Sequence, residues 1–298
     1  MNTFNDRDFI QYNDKKAKNE TKNLALYLTV HITLYVLLFF FLIFFAWYTY
    51  FVVTHKFYAV KGVSMMPTLN SEITEEQILY DPDVQQLSYD AVYVDTLVAP
   101  KLYDIVVVEN NDGSSVIKRL MAVEGDYITI AKGQTEGGED CFYFYRIPSG
   151  EDLTTYTDEQ ARLNEMSGEN GYTIRGYEDW YKNKSSVSQP PMSIAVGEKS
   201  NLYEYNFYYS FLENYQSVAN LNYHISENGL VYAQVPKGYC FFMGDNRGHS
   251  TDGRETGFCN IDNIVGRAEF IVEDYNFVNR ILEVVKFYFS QMEKFFAR

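Results

Sequence analysis

Basic residues are scarce in this 298-residue chain: 25 Lys and Arg stand against 40 Asp and Glu, for a formal net charge of −15. A nucleic-acid partner needs a basic face to neutralise phosphates, so nucleic acid is excluded as a partner. The acidity serves solubility instead. Cysteine is scarcer still. Cys141, Cys240 and Cys259 have no metal-ligand spacing, and an odd number leaves at least one unpaired within the chain. No metal site follows from them, and nothing else in the chain calls for a cofactor. Histidine occurs four times. His31 and His55 flank an apolar run, His224 falls in a tyrosine-rich stretch, and only His249 sits beside other chemistry-bearing residues. Aromatics, by contrast, are plentiful, with 27 Tyr and 22 Phe. That excess suits aromatic-rich sheets or a membrane-facing surface.

Charge is absent altogether from Ile32 to Val53. At about 1.5 Å of helical rise per residue, this run spans a hydrocarbon core of roughly 30 Å. Trp47, Tyr48 and Tyr50 stand near its end, where an aromatic belt belongs. A cleavable signal peptide is the competing reading, but the run exceeds a typical h-region and no small-x-small site follows it. Lys15, Lys16, Lys18 and Lys22 precede the run, and Lys56 and Lys61 follow it. The positive-inside rule then expects a single-pass cell-membrane protein with its N-terminus in the cytoplasm and the rest outside.

The chain divides into a polar tail (1–23), the transmembrane anchor (24–54), a core in two parts (55–131 and 231–274) around an insert (132–230), and a C-terminal helix (275–298). Phe57 to Val63 reads as a strand leading into Ser64. Leu102 to Glu109 and Ser115 to Val123 read as hairpin arms around an Asp112-Gly113 turn, and Tyr127 to Ile130 continues as strand. The insert is rich in tyrosine and acids, and Thr157 to Gln160 has the capping-box pattern of a short helix. Leu230 to Val235, Tyr239 to Met243 and Ile261 to Val272 read as strands. From Phe277 to Phe296 the period becomes helical. Ile281, Leu282, Val285, Tyr288, Phe289, Met292 and Phe296 form an apolar face that either lies in the bilayer interface or packs on protein.

The chemistry lies in three separated segments: Gly62-Val63-Ser64-Met65-Met66-Pro67-Thr68, Val116-Ile117-Lys118-Arg119-Leu120, and Gly244 to Arg254. A serine hydroxyl needs a base to become nucleophilic. A Ser/His/Asp triad would have to run through His249 and Asp252, yet Ser64 lacks a G-x-S-x-G elbow. A lysine can serve if its amine is neutral near working pH, which desolvation favours. Lys118, in an apolar strand, meets that need, although spacing alone also fits a solvated lysine and a turn serine.

Ser64-Met65-Met66-Pro67-Thr68, Lys118-Arg119 with Gly125-Asp126, Tyr103 to Val107, and Gly244-Asp245-Asn246-Arg247 followed by Ser250, Asp252 and Arg254 resemble the successive motifs of bacterial type I signal peptidases. The resemblance covers about Ala59–Asp126 and Val235–Gly266. It implies a mostly β fold with an antiparallel-sheet, signal-peptidase-like catalytic core, to which the residue patterns above add the insert domain, one N-terminal transmembrane helix and a C-terminal amphipathic helix. It further implies a membrane-bound serine endopeptidase that removes signal peptides from secretory preproteins, with membrane lipid as a second partner. Ser64 would be the nucleophile and Lys118 the general base. Ser250 would hydrogen-bond and orient the Lys118 amine. Asp245, Arg247, Asp252 and Arg254 would form an ion-paired scaffold, and the Ser64 backbone N–H part of the oxyanion hole. Gly62 stands where some relatives have an oxyanion-donating serine, Glu124 where proline is frequent, and Gly253 where serine is usual.

Two other classes compete. A non-catalytic surface protein could keep the fold and bind partners through the acidic insert, but an intact Ser64, Lys118 and Ser250 oppose it. A self-cleaving serine/lysine repressor is opposed by the anchor and by the lack of a basic DNA-binding segment.

Overall fold

The computed structural model describes residues 6–66, 68–110, 113–134, 140–163, 195–196, 222–246 and 250–296. Most of the expected insert, together with Arg247 and His249, lies outside the described residues. The chain divides into two compact units, Met1–Thr54 and His55–Arg298.

The first unit is one helix, α1 (Asp6–Thr54). The polar start expected as a tail is helical from Asp6 onward and runs unbroken into the apolar run. No proline or glycine interrupts this stretch, so nothing in it stops a helix. From Glu20 to Thr54 the helix is long and apolar enough to cross a membrane. Three threonine hydroxyls are satisfied inside the helix: Thr29 donates to the Ala25 carbonyl, Thr49 to Phe45 and Thr54 to Tyr50. That is the arrangement a polar side chain needs in hydrocarbon.

The second unit is built on two antiparallel sheets. In chain order its elements are β1 (His55–Ala59), α2 (Glu75–Tyr80), β2 (Ala91–Asp95), β3 (Ile105–Glu109), β4 (Ser115–Ala122), β5 (Tyr127–Gln134), β6 (Asp140–Ile147) and α3 (Asp158–Leu163). There follow β7 (Ala195–Val196), β8 (Tyr223–Ile225), β9 (Val231–Gln234), β10 (Tyr239–Met243), α4 (Gly253–Thr256), β11 (Cys259–Asn260), β12 (Ile264–Val272) and α5 (Phe277–Phe296). The larger sheet has the order β1-β2-β12-β3-β4-β10-β11, and the smaller β7-β6-β5-β9-β8. Every pairing between described strands is antiparallel, as the mostly β reading expects.

Central β3 is buried on both faces, and its period-2 alternation splits it between two cores. Ile105 and Val107 pack with Val60, Met65, Leu69 and Val94. Val106 and Val108 pack with Leu120, Cys240 and Phe242 on the opposite face. A third cluster, including Met121, Ile128, Phe144 and Phe241, joins the two sheets. β5 crosses the residue 131/132 boundary without a break, so the smaller sheet draws strands from both sides of it. The Thr157 capping box is formed: its N–H donates to Gln160 Oε1 (2.9 Å), and its hydroxyl accepts from the Gln160 N–H (3.3 Å).

Several strand limits differ from expectation, each for a local reason. β1 stops at Ala59, because the Val60 and Gly62 N–H groups leave the ladder for the Asp90 and Leu87 carbonyls. β3 begins at Ile105 because Tyr103 adopts a left-handed φ of 71°. Ile261–Asn263 is a 3-10 turn capped by the Asn260 side chain, so β12 starts only at Ile264.

The span of α5 agrees with the helical period, but its buried side does not follow the expected apolar face. Val284 is buried and Phe287 stacks on Phe270 of β12. The Arg280 guanidinium lies 4.2 Å over the Phe57 ring. Ile281, Leu282, Phe289 and Phe296 remain exposed, together with Phe277 and Phe295.

Candidate active site

Ser64 sits on a turn, not at the end of a strand. Its neighbours Val63 and Met65 are buried and pin the turn from both sides. The Met66 N–H closes it on the Val63 carbonyl at 3.1 Å. Behind it stands Asn70, a residue the sequence reading did not single out. Asn70 is buried with φ 58°, and its amide donates to the Val60 and Gly62 carbonyls at 3.0 and 2.8 Å. Its side-chain oxygen accepts from the Tyr89 and Asp90 N–H groups at 3.0 and 2.9 Å. One side chain thus ties the chain before Ser64 to the chain before β2. Gly62, where a serine oxyanion donor was missed, has φ +74°, and a Cβ there would meet Gln85 Oε1 at 2.5 Å. A side chain at that position would strain the backbone and have to push the Gln85 side chain aside.

β4 delivers Lys118. It pairs with Val106 of β3, in the middle of the larger sheet. Lys118 is only 4% exposed. Its Nζ lies 2.9 Å from Ser64 Oγ and donates to the Ile117 carbonyl at 3.1 Å. Burial drives the amine below its ordinary value, since little water remains to solvate a charge. The Asp252 and Asp245 carboxylates pull the other way, and the Arg254 guanidinium adds to the depression.

The loop after β10 supplies the supporting residues. Asp245, expected in a scaffold with Arg247, is paired with Arg119, the residue beside the lysine. Arg119 is fully buried, and its Nε donates to Asp245 Oδ1 at 2.8 Å while its Nη2 reaches Oδ2. Its third nitrogen donates to the Tyr103 carbonyl at 2.7 Å, and the Thr68 hydroxyl donates to Asp245 as well. Asp252 pairs with Arg254 through Nε at 2.8 Å and Nη2 at 2.9 Å, and accepts the Gly244 N–H at 2.8 Å. Burial by itself would raise the Asp252 carboxyl. The Arg254 charge and these hydrogen bonds outweigh it and hold the group below the usual carboxylate range.

Ser250 is buried in the same loop, but the expected hydrogen bond to Lys118 is not made. Its hydroxyl has no well-formed hydrogen bond and contributes only a minor share to keeping Asp252 ionised. Gly244 lies against both serines: a Cβ there would meet Ser250 Oγ at 2.1 Å and the Ser64 carbonyl at 2.4 Å, so this position needs glycine. The Asn246 N–H donates to that same carbonyl at 3.1 Å, clasping the loop to the Ser64 turn. Gly253 lies 2.7 Å, Cβ position to ring, from Phe241, so its lack of a side chain is also a packing matter. Glu124 accepts the Gly238 N–H at 2.9 Å and so supports its own turn without proline. Asp126 is structural too, accepting from the Val123 and Ser149 N–H groups and from Arg146.

His55 packs on Phe287, and His224 on Tyr127 and Tyr232 in the smaller sheet. Among the described residues no group of three or more His, Cys, Asp and Glu is placed to hold a metal ion.

A buried lysine within hydrogen-bonding distance of a turn serine is a Ser/Lys arrangement, a known variant of triad logic. Residues 32–273 match the family "Signal peptidase, peptidase S26". The chain belongs to the signal peptidase S26 family. A curated relative, signal peptidase I of Rickettsia typhi, is 28% identical over 162 residues, which cover 49% of this chain and 57% of that protein. The chain therefore matches somewhat more than half the length of that S26 relative. Among solved structures, a signal peptidase I from Enterococcus faecalis V583 has 18% identity and covers 56% of this chain and 95% of its own, with a TM-score of 0.25.

Proposed function

We propose that this chain is a membrane-bound serine endopeptidase that removes N-terminal signal peptides from secretory preproteins by a Ser64/Lys118 dyad. The observation that carries the reading is the 2.9 Å contact between Ser64 Oγ and a buried Lys118 amine whose ammonium form is disfavoured. Membership of the signal peptidase family supports the substrate class.

In the reaction, neutral Lys118 Nζ accepts the Ser64 proton as Oγ attacks the scissile carbonyl carbon. The Ser64 backbone N–H stabilises the oxyanion. The Lys118 ammonium then protonates the leaving amine, which releases the mature protein and leaves the signal peptide as an ester on Ser64. A water molecule, deprotonated by Lys118, attacks that ester and frees the signal peptide with a carboxylate end. Lys118 therefore serves as base and acid in alternation. Arg119–Asp245 and Asp252–Arg254 hold the loop and strand at the spacing the transfer needs, while Ser250 fills the space beside them. Arg247, expected in the same scaffold, lies outside the described residues.

Buried cationic groups cost folding free energy, and a non-catalytic binding protein gains nothing from one beside a serine. That argues against the surface-binding alternative. The lysines that precede the apolar run, Lys15, Lys16, Lys18 and Lys22, favour an N-terminus in the cytoplasm and the catalytic unit outside, with the apolar part of α1 as the anchor.

The test is cleavage of a model preprotein by the full-length protein in detergent or lipid. Ser64→Ala abolishes processing and leaves the fold intact, while His249→Ala retains activity. A folded Ser64→Ala protein that still cleaves overturns the dyad, and an inactive, folded His249→Ala protein revives the histidine triad.

A further inference from the structure

Cys240 and Cys259 belong to no step of this reaction. They stand directly opposite each other on β10 and β11, as the second of only two residue pairs joining those strands. Directly opposed residues in an antiparallel ladder point to the same face, with Cα atoms about 4.5–5.5 Å apart. That spacing lies within the range a disulfide requires. Both are thiols in this structure. Cys240 is 1% exposed, packed among Val106, Val108, Leu120 and Phe242, and Cys259 packs against the same cluster from a partly exposed position. The two thiols are within hydrogen-bonding reach, and Cys259 also lies 3.3 Å from the Asn260 carbonyl.

The location gives the pair a role. β11 is the edge strand of the larger sheet and has only two residues. Between the two cysteines run Gly244, Asp245, Ser250, Asp252 and Arg254, the loop that holds the candidate site together. A two-residue edge strand is a weak closure for such a loop.

We propose that Cys240 and Cys259 form a cross-strand disulfide under oxidising conditions, which staples the base of the loop from Gly244 to Phe258. The partly exposed Cys259 is the entry point. Its thiol ionises more readily than usual because Cys240 hydrogen-bonds the sulfur, while the Cys240 thiol is held protonated by the same contact and by burial. The Cys259 thiolate attacks a low-molecular-weight disulfide, displaces one thiolate from it and forms a mixed disulfide. Cys240 then loses its proton, attacks Cys259 Sγ and displaces the second thiolate. Two protein thiols are oxidised by two electrons, the small disulfide is reduced to two thiols, and the two protons go with them. Cys141 remains the unpaired cysteine.

The test uses the full chain in detergent, equilibrated with oxidised or reduced glutathione, then alkylated and digested with trypsin without reduction. Oxidised protein should yield the peptides Gly238–Arg247 and Glu255–Arg267 joined, two hydrogens lighter than their sum, with Cys141 alkylated. Its Tm should rise by about 5–10 °C over the reduced form, as expected for a closed loop of this size in a domain of this length. Cys259→Ser should lose that redox-dependent shift and Cys141→Ser should keep it, with the basal cleavage of both preserved. Alkylation of both Cys240 and Cys259 after oxidation, a link to Cys141, or a linked chain that melts at the reduced temperature overturns the proposal.

Discussion

Replacing Lys118 by methionine removes the amine and keeps the length and apolar character of its stem. Two consequences follow from one ionisation. Below its folded-state pKa the wild-type lysine is protonated in both states, so the fold carries the full cost of a desolvated cation. Between that pKa and the unfolded value of about 10.4, the unfolded chain binds one proton more than the folded chain. Stability of the wild type then rises by about 1.4 kcal/mol per pH unit, and the gain ends above the unfolded value. The methionine variant has no such term. Its stability advantage over wild type is therefore greatest at low pH and shrinks across the same window. Catalysis reads the same proton from the other side. Cleavage by wild type should rise about tenfold per pH unit up to the folded pKa and then level off. The pH at which the rate flattens is the pH at which relative stability starts to climb. The variant itself should lose at least about 10³-fold in kcat/KM, as removal of a base from a cooperating pair does. The assays are preprotein cleavage and urea unfolding of both proteins across the alkaline range. A variant within tenfold of wild type, or rate and stability limbs separated by more than one pH unit, would refute the reasoning.

Arg119→Met should destabilise the catalytic unit by about 3–5 kcal/mol in urea unfolding, because it leaves Asp245 buried without its counter-charge. Arg119→Lys should restore little, since an ammonium cannot grip both carboxylate oxygens and the Tyr103 carbonyl together; a loss under about 1 kcal/mol for either would contradict this. The apolar side chains left exposed on α5 should give interfacial membrane binding: a soluble form beginning at Phe57 should sediment with liposomes, and the same form ending at Tyr275 should not. Equal partitioning of the two would remove the role in lipid contact.

Much of the site was legible before any fold was known, because its chemistry is written in short contiguous segments. Ser64, Lys118 and the loop from Gly244 to Arg254 can each be picked out by residue type and immediate neighbours. The Thr157 capping box and the span of α5 were legible for the same reason, since caps and helical periods depend on neighbours a few residues away. β2, β6 and α2 were not picked out. The strand expected from Phe57 ran four residues too far, because its end is set by carbonyls near β2 that sequence proximity does not reveal.

From the sequence alone came the residue types of the candidate site, their order along the chain, the apolar length of the N-terminal run and the amphipathic character of the last helix. Packing in three dimensions decided that Asp245 is paired with Arg119, that Asn70 braces the Ser64 turn, and that Ser250 makes no hydrogen bond with Lys118. It also decided that α5 buries Val284, stacks Phe287 on Phe270 and leaves Phe289 exposed, and that Cys240 faces Cys259. The physical reason is common to all of these. Sheet register and desolvation join residues distant in sequence, and the proton affinity of Lys118 depends on how much water and charge that packing leaves around it.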